Sequence, residues 1–164
     1  MVLLRPCIDI TGNLGENFDF PNLENQIRSH PSSGRGITLD FSRLGRVNSI
    51  GIRSFCLIMS KFQIPIFFEN CPVFLIEHLN LSGPAFFGQY ATVETFFAPF
   101  LDTNGIRKDV LLRVGADIPL QEDYDGWEFT GHQGVSLTPD FAPEEYLEFL
   151  SCLYRRQKRT VAAM

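Results

Sequence analysis

Apolar and polar positions alternate most clearly over Ile37-Thr38-Leu39-Asp40-Phe41, which predicts a strand. Downstream, Ile52, Phe55, Cys56 and Met59 recur at i, i+3, i+4 and i+7, with Phe62 continuing the stripe. That spacing predicts a helix with one apolar face, and Asn48 and Ser49 just before it are N-cap candidates. Ile64-Pro-Ile-Phe-Phe68 is almost wholly apolar, as suits a strand covered on both faces of a parallel sheet. Pro72 then sits where a helix starts. Val73, Ile76, Leu79 and Leu81 supply that helix with an apolar stripe, and Ser82-Gly83-Pro84 stops it. Thr92–Ala98 reads as one further strand. Strand, helix, strand, helix, strand over residues 37–98 predicts a mostly parallel α/β layer. Upstream, residues 7–14 predict a short strand and 21–29 a short helix, followed by a loop over His30–Gly36.

The pattern changes after residue 98. Asn104-Gly105, Asp125-Gly126 and Gly131-His-Gln-Gly134 are turn signals. Val110–Val114 and Glu128–Thr130 read as strands between them, so residues 99–140 predict a small antiparallel appendage of hairpins. Residues 140–159 predict a terminal helix. Pro143 starts it, and Glu144 and Glu145 suit its positive end. Arg155, Arg156, Lys158 and Arg159 suit its negative end. Tyr146, Leu147, Phe149, Leu150, Leu153 and Tyr154 give it a broad apolar face. The division expected is residues 1–98 and residues 99–164.

Composition narrows the function classes. The chain has 164 residues, is 45% hydrophobic, and contains 16 Phe, which is enough for a real core. Its net charge of -5 argues against a polyanion partner such as nucleic acid, because phosphate contacts come from clustered Lys and Arg. The longest apolar runs are too short to span a bilayer, so no membrane partner is expected. Met1–Pro6 has no leader-like pattern, and a cytoplasmic location is expected. Cys7, Cys56, Cys71 and Cys152 form no CxxC pair, and the expectation is reduced, buried thiols.

Ile37-Thr-Leu-Asp40-Phe-Ser-Arg-Leu-Gly-Arg-Val47-Asn48-Ser49-Ile50-Gly51-Ile52-Arg53 resembles the core motif of STAS domains, the anti-sigma-factor-antagonist family. In that motif an acid-ended strand leads to an Asp-Ser-Ser-Gly-like turn that opens a helix. Ile10–Phe18 upstream, and Phe67–Pro72 and Leu79–Gly83 downstream, resemble the flanking pieces, so the likeness covers roughly residues 7–98. It implies a STAS-like layer of mostly parallel strands with helices. It also implies a non-enzymatic regulatory protein–protein interaction module in bacterial signalling, with an anti-sigma factor or kinase as partner. The implied partner-binding residues are Asn48, Ser49, Ile50, Gly51 and Arg53. The chain departs from the family turn at two places: Asn48 replaces the acid, and Ile50 stands where the phosphoacceptor serine is usual. Ser49, one place early, is then the candidate phosphorylation site, while the residues alone read as helix caps.

Residues 99–141 resemble, in layout, a zinc-ribbon-like tail that has lost its cysteines. The knuckle positions near Leu101–Gly105 and Thr130–Gly134 offer only Asp102 and His132, short of the four N or S ligands zinc takes. No metal and no cofactor are expected. The ribbon would close on Phe96, Phe97, Phe100, Trp127 and Phe129 instead. His30, His78 and His132 lie in no catalytic pattern, and no nucleophile or phosphate-binding motif is present, so no catalytic residue is assigned. Two rival readings stay open: a small-molecule sensor with an aromatic-lined pocket, and a structural or homo-oligomerising piece that uses the terminal helix.

Overall fold

In a computed structural model the described residues are 5–30, 34–83, 88–129 and 131–162. The expected helix stop at Pro84, the strand end at Thr130 and the Pro31–Ser33 part of the loop lie outside them. The chain divides into two compact units that interleave in sequence: residues 1–72 with 85–94, and residues 73–84 with 95–164.

The first unit holds β1 (Cys7–Asp9), β2 (Gly12–Leu14), α1 (Phe20–Ser29), β3 (Ile37–Asp40), β4 (Leu44–Val47), α2 (Ser49–Met59), β5 (Ile66–Glu69) and, later in the chain, β6 (Ala91–Val93). Its main sheet is four-stranded in the order β1-β3-β5-β6, and every pairing is parallel. The mostly parallel α/β architecture expected from the alternation is therefore present, and it is compatible with a STAS-like layout. Residues 7–14 form two strands rather than one. β1 pairs with β3, whereas β2 pairs in parallel with β4 in a separate two-stranded sheet. Gly12, with φ +78°, lets the chain break between the two ladders. β4 carries no alternation, because Gly45 and Arg46 are both exposed.

The core of this unit lies on one face of the main sheet. Ile8, Leu39, Phe68 and Val93 are all buried, and they are register neighbours across β1, β3, β5 and β6. Phe41, Phe55 and Phe68 meet there, with ring centroids 5.3–5.9 Å apart and two of the three pairs edge-to-face. Leu23 and Ile27 bury the inner side of α1. Asp19 caps that helix by accepting from the Asn22 amide at 3.0 Å, and Pro21 stands in its first turn.

The second unit holds α3 (Val73–Ser82), β7 (Thr95–Leu101), β8 (Arg107–Arg113), β9 (Thr138–Pro139), α4 (Pro143–Tyr146) and α5 (Glu148–Ala162). The expected strand Thr92–Ala98 is split at Glu94, for its two halves serve different partners. β6 pairs in parallel with β5, and β7 pairs antiparallel with β8 and β9. The antiparallel appendage is present as the three-stranded sheet β8-β7-β9. Its β7–β8 turn closes through Asp102, whose carboxylate accepts from the amides of Asn104 (2.9 Å) and Ile106 (3.0 Å). Glu128 and Phe129 join no ladder, so the strand expected there is absent among the described residues. Phe129 instead packs its ring 4.6 Å from Phe100 and 5.8 Å from Trp127. Phe96 packs on Phe149 of α5 at 5.1 Å.

The terminal helix is broken at Leu147 into α4 and α5. Asn80 of α3 holds the break: its Nδ2 donates to the Tyr146 carbonyl at 2.8 Å, and its Oδ1 accepts from the Phe149 amide at 2.9 Å. Both are backbone groups that a helix end leaves unpaired. Phe149, Leu150 and Leu153 of α5 are buried inside this unit, so that part of its apolar face is already occupied.

Candidate functional site

The STAS-like turn forms a corner at the start of α2. Asn48 is extended (φ -128°, ψ 171°), and its Oδ1 accepts from the Gly51 amide at 2.9 Å, which is N-cap geometry. Its backbone amide donates to the Leu14 carbonyl at 3.1 Å, and its Nδ2 donates to Glu16 at 3.1 Å. One side chain thus ties α2 to the segment after β2. The Glu16 carboxyl is held below its ordinary pKa, first by its own backbone amide and then by Asn48. Asn48→Ala should lower stability by about 1 kcal/mol. Asn48→Asp should keep the cap but exchange the Glu16 bond for carboxylate–carboxylate repulsion, so its midpoint in chemical denaturation should lie below wild type and recover in part at high salt.

Gly51 lies differently from the rest of the turn. It is buried against the end of β2: an added Cβ would overlap the Leu14 carbonyl oxygen and stand 2.7 Å from the Gly15 nitrogen. The close approach at this glycine is made by the chain's own backbone. Asn48, Ser49, Ile50 and Arg53 are exposed. Ile50 is 51% exposed and Leu57, two turns further along α2, is 60% exposed. Their seven-residue spacing places them on one side of the helix, with Arg53 and Ser54 between. Arg46 at the end of β4 is exposed beside the same turn. Neither Leu57 nor Arg46 belongs to the Asn48-Ser49-Ile50-Gly51 motif of the turn. Leu57 falls off the buried stripe that defines the helix, and this was the available signal.

Two hollows flank the 12–19 segment. One, of about 310 Å³, is lined by residues that include Asn13, Glu16, Arg46 and Asn48. The other, of about 320 Å³, is lined by Asp9, Thr11, Asn17, Asn22 and Gln26 among others, with Phe18 as its only aromatic ring. Half of the residues lining each hollow carry an amide or a carboxylate.

A second group of polar side chains lies on the opposite face of the main sheet from the core. In-register parallel pairing aligns Asp9, Asp40 and Glu69 at the carboxyl ends of β1, β3 and β5, and Glu94 directly follows β6. Arg5 serves one half of this row. It donates to Glu94 at 2.9 and 2.5 Å, lies 3.7 Å from Glu69, and stacks 3.8 Å over the Phe67 ring. Burial, and then the neighbouring Glu94, push the Glu69 pKa up. An acid whose folded pKa is raised destabilises the fold when ionised, and that penalty is relieved as pH falls through the raised value towards the ordinary 4.5. Glu69→Gln should thus be more stable than wild type at neutral pH, and the difference measured by thermal melts should shrink as the pH is lowered towards 4.5.

In the other half of the row, Cys7, Asp9 and Asp40 bring their sulfur and carboxylate oxygens within 4.8 Å of one another. Burial raises the Asp40 pKa, but hydrogen bonds from Asn70 Nδ2 (3.0 Å) and the Ser42 amide (2.8 Å) outweigh it and hold the carboxyl below its ordinary range. Cys7 is exposed, a correction to the expectation of buried thiols; Cys71 alone is fully buried, and Cys56 and Cys152 are half-buried. Among the described residues no other set of three metal-type ligands comes together. Of the two knuckle positions, Asp102 is taken up by its turn and Lys108, while His132 pairs with Asp117 at 3.5 Å. No described helix is long and apolar enough to cross a membrane.

Comparison with protein-family models, with curated proteins and with solved structures finds no match to this chain.

Proposed function

We propose that the chain is a non-enzymatic regulatory docking module of the STAS, anti-sigma-factor-antagonist type, acting in bacterial signalling. The carrying observation is the half-exposed Ile50 in the first turn of α2, a turn whose next residues, Gly51 and Ile52, are buried. A large apolar side chain held outward by a capped, backbone-locked turn is a preorganised anchor for another protein. Leu57 extends the apolar stripe, and Arg46 and Arg53 give it a cationic rim. The fitting partner is a signalling protein, such as an anti-sigma factor or kinase, that offers an apolar hollow edged by carboxylates. Asn48 and Ser49 belong to the same surface, whereas Gly51 acts beneath it by letting the turn seat on β2. Ser49 is exposed, and a phosphate there would add charge beside Ile50 and weaken an apolar contact.

Ile50→Asp tests this reading. The residue is exposed, so the fold should melt within about 0.5 kcal/mol of wild type. Recovery of the partner from cells of the source organism should be lost. Equal recovery of the same protein by both chains would refute the surface. The 310 and 320 Å³ hollows favour a second reading, a sensor for a small polar metabolite. A metabolite that raises the melting temperature of wild type but not of Asn17→Ala would support it.

A further inference from the structure

The parallel register places a thiol and two carboxylates where a single cation can reach all three, and we propose that Cys7, Asp9 and Asp40 form a binding site for a zinc-class divalent cation. Three features of the sheet support this assignment. The first is the donor set. Thiolate sulfur with two carboxylate oxygens is the mixed soft and hard ligation that zinc accepts, with water as the fourth ligand. Its tetrahedral sites use bonds of about 2.0–2.3 Å, so ligand atoms that already lie within 4.8 Å of one another need only side-chain rotation to close on an ion.

The second is the way the ligands are held. Cys7 and Asp9 alternate onto one face of β1, and Asp9 stands opposite Asp40 in the ladder. Asp40 is oriented by the Asn70 amide and the Ser42 backbone, both of which donate to its Oδ1. Outer partners of that kind position a metal-binding carboxylate.

The third is the distribution of charge along the row. Arg5 neutralises the Glu69–Glu94 half through short bonds. Among the described residues, the ion pair found in the Asp9–Asp40 half is with Arg43, 3.8 Å from Asp9 and largely exposed. The carboxyl ends of parallel strands are also where open α/β sheets receive ligands.

Binding is a proton exchange. The Cys7 S–H proton leaves to solvent as the sulfur–metal bond forms, and with the two ionised carboxylates the filled site carries one net negative charge, beside Arg43. Because a thiol must shed its proton to bind the ion, affinity should weaken as pH falls.

The experiment titrates the reduced full-length chain with Co²⁺ as a spectroscopic probe and then displaces it with Zn²⁺. A thiolate-to-cobalt charge-transfer band should grow to one equivalent, vanish in Cys7→Ser, and weaken at least about tenfold in affinity in Asp9→Asn and Asp40→Asn. Cys56→Ser should leave it unchanged. Alkylation mapped by mass spectrometry gives a second readout on wild-type protein: Zn²⁺ should protect Cys7 from iodoacetamide. A band that survives Cys7→Ser, or no band together with unprotected Cys7, would overturn the assignment.

Discussion

Gly51→Ala should destabilise the first unit by about 3 kcal/mol, although it places a better helix former inside a helix. At an open helical position the change would gain up to about 1 kcal/mol. Here the new methyl would overlap the Leu14 carbonyl oxygen and crowd the Gly15 nitrogen. Both obstacles are backbone, so no side chain can swing aside. The end of β2 and the start of α2 would have to separate, and the Asn48 amide bond to Leu14 would go with them. Hydrogen exchange over residues 49–59 reads this separation directly. Protection there should fall sharply in Gly51→Ala, and unchanged protection would show that the turn does not rest on β2.

Phe55→Ala should cost about 3–5 kcal/mol, the usual range for deleting a buried aromatic ring. Phe55 is fully buried and lies 5.9 Å from Phe41 and 5.7 Å from Phe68. Truncation would leave a hollow between α2, β5 and the residue that follows β3, and sheet pairing holds β5 in place against its collapse. Phe55→Leu should recover more than half of the loss, because it refills most of the volume. Denaturation midpoints followed by far-ultraviolet circular dichroism check both. Similar midpoints for Phe55→Ala and wild type would mean that the three rings do not form the core.

The elements with strong local periodicity were legible in the sequence. Ile37–Asp40, the Asn48-capped helix and Val73–Ser82 stand where alternation, capping chemistry and apolar spacing put them, except that in the last Leu81 is exposed and Leu75 is buried in its place. What failed to show depends on partners far along the chain. Thr92–Ala98 reads as one run, and only the pairing of Ala91–Val93 with β5 and of Thr95–Leu101 with β8 cuts it at Glu94. Thr138–Pro139 is too short to carry a period at all. The interleaving of the two units is likewise a matter of contacts that no local pattern encodes.

The candidate site divides along the same line. The cap at Asn48 and the outward Ile50 follow from the local motif, as does the candidate role of Ser49. That Gly51 faces inward depends on where β2 ends, thirty-odd residues earlier. The alignment of Asp9, Asp40 and Glu69 depends on strand register, which a one-residue slip would abolish by sending every side chain to the other face.

The docking claim is met most directly by photocrosslinking in the native cell. A benzophenone side chain replaces Leu57, beside the Ile50 anchor, and a control chain carries it at the exposed Leu111 of β8. We predict one discrete adduct from position 57, none from position 111, and loss of the adduct when wild-type chain, but not Ile50→Asp, is supplied in excess. Equal competition by Ile50→Asp, or the same adduct from both positions, would contradict a partner seated on the start of α2.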